Sequence, residues 1–185
     1  MCNKNSPSNI RAGTLTLAPA WAEGADRSAE LAAAIREAGD FELYFGVPET
    51  EERLSALSIA RPMFYNIIDG NGSFVGYLGF HPEDDAYETE IYILSAYRRR
   101  GYAKKALSAA VRAAFNGDIE GIKDIRRIVS SVRTENTASH ALMKSAGFAE
   151  DRHIPFFMSL CVSETDEECQ PILIVFYYIT KEMLN

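Results

Sequence analysis

The sequence predicts an α+β fold, a central mixed and mostly antiparallel twisted sheet of about seven strands flanked by about four helices. Three stretches carry that expectation. Residues 63–94 hold three strand-like runs, the first two separated by Asp69-Gly70-Asn71-Gly72, a hairpin signal because such turns need backbone angles that Gly and Asn tolerate. Residues 103–146 then change to a helix, strand, helix pattern. Residues 155–180 finish in two apolar runs that read as an antiparallel pair.

In chain order, residues 1–12 carry Ser, Asn, Pro and Lys without periodicity and are expected to be a flexible lead-in to a single domain, 13–185. "GTLTLAP" (13–19) alternates as a first strand. Leu31, Ala34, Ile35 and Ala38 recur at helical spacing before Gly39, and "VPETEERLSAL" (47–57) opens a second helix with Pro48 and three glutamates. The meander of 63–94 follows and ends in "AYETEIYIL" (86–94). A helix comes next, with Ala103, Leu107, Ala110, Val111 and Ala114 on one face. The strand "IRRIVSSV" (125–132) and the helix "TASHALMKSA" (137–146), closed by Gly147, lead to the final pair, 155–162 and 172–180, joined by the acidic "SETDEECQ". Nothing repeats, and no linker divides the chain.

Composition narrows the function classes. At 185 residues and 47% hydrophobic, the chain has the size and apolar content of one globular domain. No apolar run approaches the roughly 18 residues a membrane span needs, and "MCNKNSPSNI" lacks the apolar core of a signal peptide, so a soluble cytoplasmic protein is expected. Cys2, Cys161 and Cys169 are an odd set without metal-type spacing, which predicts neither disulfide nor metal site. The net charge of −7 is unevenly spread: residues 91–133 hold ten Lys or Arg against three acids, a local +7, and the remainder is −14. An acidic remainder repels a long phosphate backbone, so the basic third points to a small polyanion rather than nucleic acid.

That anion has a place to dock. "RRRGYA" (98–103) lies between a strand and a helix, where free backbone N–H groups and the positive end of the helix dipole converge. Gly101 lets the backbone come close, and Arg98, Arg100 and Lys104 are placed to add charge-assisted contacts. Taken alone, this six-residue pattern also fits a solvated helix start. In context it resembles the GCN5-related N-acetyltransferase (GNAT) family, whose Q/R-x-x-G-x-G/A signature is matched by Arg98, Gly101 and Ala103. Asn136, Ser139, Leu142, Gly147 and Phe148 match a second family motif after the next strand. The two motifs and the strand order extend the resemblance over roughly residues 13–180. Ser139 and "FVGYLGFHPED" (74–84) look most like the branch that acetylates ribosomal-protein N-termini and related amines.

The resemblance implies the acyl-CoA N-acyltransferase fold and acetyl-coenzyme A as cosubstrate. Its pyrophosphate would lie over Arg98, Arg99, Arg100, Gly101, Tyr102 and Ala103. The pantetheine would lie between two splayed strands, on backbone groups of Ile93 and Leu94 near Ser95, with Asn136 and Ser139 beside the thioester. Read as residues alone, Asn136 is an N-cap and Gly147 a C-cap, and both roles are compatible with the implied ones.

Acetyl transfer needs a neutral amine and a proton for the leaving thiolate. Glu88 and Glu90, two apart on one strand, project on one face and are the candidate bases, the alternative being an ordinary solvent-facing edge. Counting back from Arg98, the resemblance puts the family's strand glutamate at Glu88. His81 precedes Pro82 and reads as a loop residue able to assist. Many relatives carry a tyrosine acid where this chain has Met143, leaving Ser139 or water for the thiolate. His140 is expected to be exposed, and Tyr177 and Tyr178 to be one core and one groove residue by alternation.

The expectation is therefore an acetyl-CoA-dependent N-acetyltransferase, transferring to a primary amine by direct attack in a ternary complex. The acidic stretches 47–57 and 163–170 suit a cationic acceptor, and a protein N-terminus is the other candidate. Expected partners include neither nucleic acid nor membrane, and the chain is read as a monomer or homodimer. The alternatives are a coenzyme-binding sensor without catalysis, a transferase of longer acyl groups and a nucleic-acid-binding module, which the acidic charge and the lack of interleaved exposed aromatics disfavour.

Overall fold

A computed structural model describes residues 8–45, 49–152, 157–160 and 170–184. Its sheet is mixed and mostly antiparallel, as expected, with nine strands among the described residues. At one edge β1 (Ile10–Ala12) and β2 (Leu15–Pro19) form a hairpin, so the last residues of the expected lead-in are a strand instead: Ala12 is buried, and Ile10 pairs with Leu17. The meander is β3 (Phe64–Ile68), β4 (Phe74–Pro82) and β5 (Ala86–Ile93). Its first turn is held by Asp69, whose Oδ1 accepts from the N–H groups of Asn71 and Ser73, each at 2.9 Å.

Helices cover both faces. On one, α4 (Tyr102–Asn116) buries Ala106, Leu107, Ala110, Val111 and Ala114 against Leu15, Leu17, Ile67 and Ile128. On the other, α1 (Ser28–Ala38), α2 (Phe41–Phe45) and α3 (Glu51–Ala56) bury Leu31, Ile35, Phe41 and Leu54 against Phe64, Tyr77 and Tyr92. Thr50 caps α3, its hydroxyl accepting from the Arg53 N–H, while Pro48 lies outside the described residues. The short α2 has no periodicity long enough to be read from sequence.

The crossover through α4 returns the chain as β6 (Arg127–Arg133), which lies parallel to β5. After α5 (Thr137–Ser145) come β7 (Ala149–Asp151), β8 (Phe157–Leu160) and β9 (Gln170–Thr180), which pairs antiparallel with β6, β7 and β8. The three cysteines, and the joining segment up to 169, fall outside the described residues. No helix among the described residues is long and apolar enough to cross a membrane.

One irregularity positions the site. β5 and β6 pair only through Ala86–Glu88 and Arg127–Val129, whereas β6 pairs with β9 along all seven of its residues. Beyond Glu88 the sheet opens into a fork.

Candidate active site

The fork leads to two cavities that share Leu43, Tyr44, Ile91, Asn136 and Ser139 in their walls. The larger, about 560 Å³, runs from Ile91 and Ile93 past Tyr97 to Arg98, Arg99, Gly101 and Lys104, with α5 as its far wall. The smaller, about 390 Å³, lies between the diverging strands and is lined by His81, Glu83, Glu88, Glu90, Ser130, Ser131, Arg133 and Met143.

The end of the larger cavity where an anion is expected is formed by a turn and the start of α4. A 3₁₀ turn at Ser95–Tyr97 lifts the chain off β5, Arg99 takes a left-handed φ of 62°, and Gly101 follows at φ 75° as the first cap of α4. No side chain caps α4, so its first N–H groups and its dipole stay directed at the cavity. Arg98 was expected to meet phosphate, but its guanidinium is engaged internally. Nε donates to the Ile93 carbonyl at 2.9 Å, Nη2 is hydrogen-bonded and ion-paired to Asp40, and the group lies over the Tyr92 ring. The Tyr92 hydroxyl donates to the same Asp40 oxygen at 2.9 Å. Arg100 likewise donates to the Ala96 carbonyl at 2.9 Å. Arg99 and Lys104, both exposed, are the cations in the wall of the larger cavity that carry no such tie.

Strand alternation sorts the backbone groups expected at a thioester. Leu94 donates its N–H to Val75 at 3.0 Å and accepts from Tyr97 at 2.8 Å, so its backbone serves β4 and the turn rather than the fork. Ile91 and Ile93 have the opposite parity and turn their N–H and C=O groups away from β4, the Ile93 carbonyl being held by Arg98 and the others facing the fork. The sequence reading named Ile93 and missed Ile91.

In the smaller cavity, Glu88 is opposite His81 and Glu90 opposite Gly79, so both carboxylates share a face. Glu88 Oε1 accepts from the Ser131 N–H at 3.2 Å and from the Ser131 hydroxyl. Glu90 Oε2 lies 3.2 Å from His81 Nε2, and Oε1 lies 4.0 Å from Arg61. His81 is a strand residue, not a loop one, and the Glu90 hydrogen bond outweighs burial to raise its pKa above the usual value. Burial holds the Tyr44 and Tyr77 phenols well above their usual pKa, so both stay neutral. Tyr44, in the wall of both cavities, had no signal in the sequence because α2 is brought there only by the fold.

The second motif supplies the far wall. Asn136 Oδ1 accepts from the Ser139 N–H at 3.0 Å, which confirms the N-cap, and Ser139 sits where the two cavities join. Met143 is buried and faces the smaller cavity. His140 is half-buried rather than exposed. Its Nε2 lies 3.1 Å from the Arg133 carbonyl and must carry the hydrogen, leaving Nδ1 to accept from the Tyr177 hydroxyl at 2.8 Å. Tyr177 is the core member of its pair, as alternation predicts.

Residues 32–148 match the family model described as Acetyltransferase (GNAT) family. Over 71 residues the chain is 31% identical to aminoglycoside N(6′)-acetyltransferase type 1 of Salmonella typhimurium; the match covers 38% of this chain and 45% of that relative, so the chain spans less than half of that relative's length. Among solved structures, a GNAT-family acetyltransferase from Bacillus anthracis superposes with TM-score 0.67 at 19% identity, covering 95% of this chain and 99% of that one. Spermidine N-acetyltransferase from Vibrio cholerae, solved with CoA and spermine, gives TM-score 0.65 at 16% identity over 92% and 98%. Both are likenesses of fold.

Proposed function

The chain belongs to the acetyltransferase (GNAT) family, and from that premise we propose that it transfers the acetyl group of acetyl-CoA to a primary amine by direct attack. The observation that carries this is the meeting, at Ile91, Asn136 and Ser139, of a cavity ending on an uncapped helix N-terminus with a cavity lined by carboxylates. Acetyl-CoA supplies an activated acetyl thioester. The residues present fit it: the N–H groups of Gly101, Tyr102 and Ala103 and the side chains of Arg99 and Lys104 suit a pyrophosphate, while Arg98 and Arg100 hold the loop that presents them.

The fork-facing backbone of Ile91 and Ile93 and the side chains of Asn136 and Ser139 would hold the pantetheine arm, and an N–H from β5 would polarise the thioester carbonyl. An ammonium has no lone pair, so the acceptor must lose a proton before attack. Glu88 and Glu90, acting through water, are the candidate bases, and Ser139 or water returns a proton to the thiolate. Carboxylates on the acceptor cavity suit a cationic amine or a protein N-terminus.

The test is mass spectrometry of the protein with acetyl-CoA and a panel of spermidine, an aminoglycoside and peptides with free N-termini. One acetyl group added to an amine supports the reading. Coenzyme binding with no transfer would make the protein a sensor, and absence of coenzyme binding by calorimetry would overturn the proposal.

A further inference from the structure

We infer that the two strand carboxylates divide the work: Glu88 is a positioning residue that pins the β5–β6 fork, and Glu90 with His81 is the proton-accepting pair. This rests on the acetyl-transfer reading above and assigns the roles within it.

The pinning role follows from where Glu88 spends its oxygen. It is the last β5 residue in register with β6, opposite Val129. In a continued parallel ladder the Ser131 N–H would find a β5 carbonyl. Here it donates to Glu88 Oε1 at 3.2 Å, and the Ser131 hydroxyl donates to the same atom. One side chain thus replaces the missing backbone pairing at the crotch of the fork. It keeps β6 from zipping onto β5 and from drifting away. An oxygen holding two donors is committed to β6 rather than to an arriving amine.

Glu90 is placed otherwise. Both it and His81 line the acceptor cavity, Oε2 is 3.2 Å from His81 Nε2, the neutral Tyr77 phenol of β4 hydrogen-bonds to the carboxylate with Tyr44 beside it, and Oε1 is no closer than 4.0 Å to Arg61, whose guanidinium is spread 4.2 Å above the Phe64 ring. The groups facing His81 are Glu90 and Glu88 from β5, Arg61 from the segment before β3 and the Phe64 ring from β3 at 5.1 Å. In the step, the amine lone pair forms the C–N bond to the acyl carbon while the C–S bond breaks with its electrons on sulfur. The nitrogen's proton passes through water to the Glu90–His81 pair, which holds one proton more after the step than before. The sulfur takes its proton from Ser139 or water, and the pair then returns its own to solvent.

Calorimetry with coenzyme A tests the pin without any acceptor. Glu88→Gln keeps an oxygen for Ser131 and should weaken binding by less than about threefold, whereas Glu88→Ala should weaken it by about tenfold or more. Histidine proton NMR tests the pair: Glu90→Gln should lower the titration midpoint of His81. With the first amine of the panel that is acetylated, Glu90→Gln and His81→Asn should lower kcat by about 10²- to 10⁴-fold, with coenzyme affinity within about threefold of wild type. Coenzyme A affinity in Glu88→Ala equal to wild type overturns the pin. So does a Glu88→Gln kcat as low as that of Glu88→Ala with affinity intact, which would make Glu88 the base. If the wild type binds coenzyme A but acetylates no amine, the functional reading fails, while the affinity ratio and the His81 midpoint still decide this assignment.

Discussion

Gly101 shows how one residue without a side chain sets up the anion end. Its backbone sits at φ 75° and ψ 8°, and an added Cβ would meet nothing within 4 Å, so the conformation and not crowding excludes other residues. Gly101→Asn, which tolerates this region, should cost about 1 kcal/mol in a thermal melt and leave coenzyme affinity nearly intact. Gly101→Asp adds a negative charge at the positive end of α4, and calorimetry should show affinity lower by about tenfold or more. His81 carries the second expectation at this scale. Its folded pKa is raised by Glu90, so the stability of that pairing is complete below the unfolded value of 6.5 and is lost as pH rises through the folded value. The melting-temperature deficit of Glu90→Gln should therefore be largest near about pH 6 and shrink toward about pH 8. The cap at Asn136 was legible because a cap is a local hydrogen bond. His140 was misread because its partner, Tyr177, lies 37 positions away in sequence.

Among the elements, α2 is tied to its neighbours by two arginines. Asp40, just before it, holds Arg98 of the loop before α4, and its Glu42 carbonyl accepts from Arg133 Nη1 of β6 at 2.9 Å. Through Leu43 and Tyr44 the helix roofs both cavities, so the two arginines fasten the roof to the walls on either side. An isolated five-residue helix is not stable in water, and its packing and these bonds supply what its length does not. Asp40→Ala should speed amide exchange across residues 39–45 by about fivefold, the equivalent of about 1 kcal/mol for a partly screened charged bond, as followed by mass spectrometry. Unchanged exchange would mean that Phe41 packing and the Arg133 bond hold α2 without Asp40.

Over the whole molecule, charge is segregated: ten bases against three acids between residues 91 and 133, within a chain of net charge −7. On the proposed reading the basic stretch would meet a compact anion at the start of α4, and the acidic remainder would repel a polyanion that extends beyond it. Fluorescence anisotropy at physiological salt should accordingly show no binding of duplex or single-stranded oligonucleotides by the wild type. Salt-sensitive binding would instead give the basic segment a nucleic-acid partner.

The sequence by itself determined the order of the longer strands and helices, though not β1, α2 or β7, the meander and its turn, the glycine that opens α4 and the N-cap of α5. Each of these is written in a few neighbouring residues as a period, a turn residue or a cap. It also placed Glu88 and Glu90 on one face, since alternation is a property of the strand alone. Only the tertiary structure decided what those side chains do. Glu88 reaches Ser131 across 43 positions, Arg98 reaches Asp40 across 58, and Arg133 reaches Glu42 across 91. Such bonds leave no periodic trace in the sequence, because the distance that makes them is set by how layers pack and where β5 parts from β6.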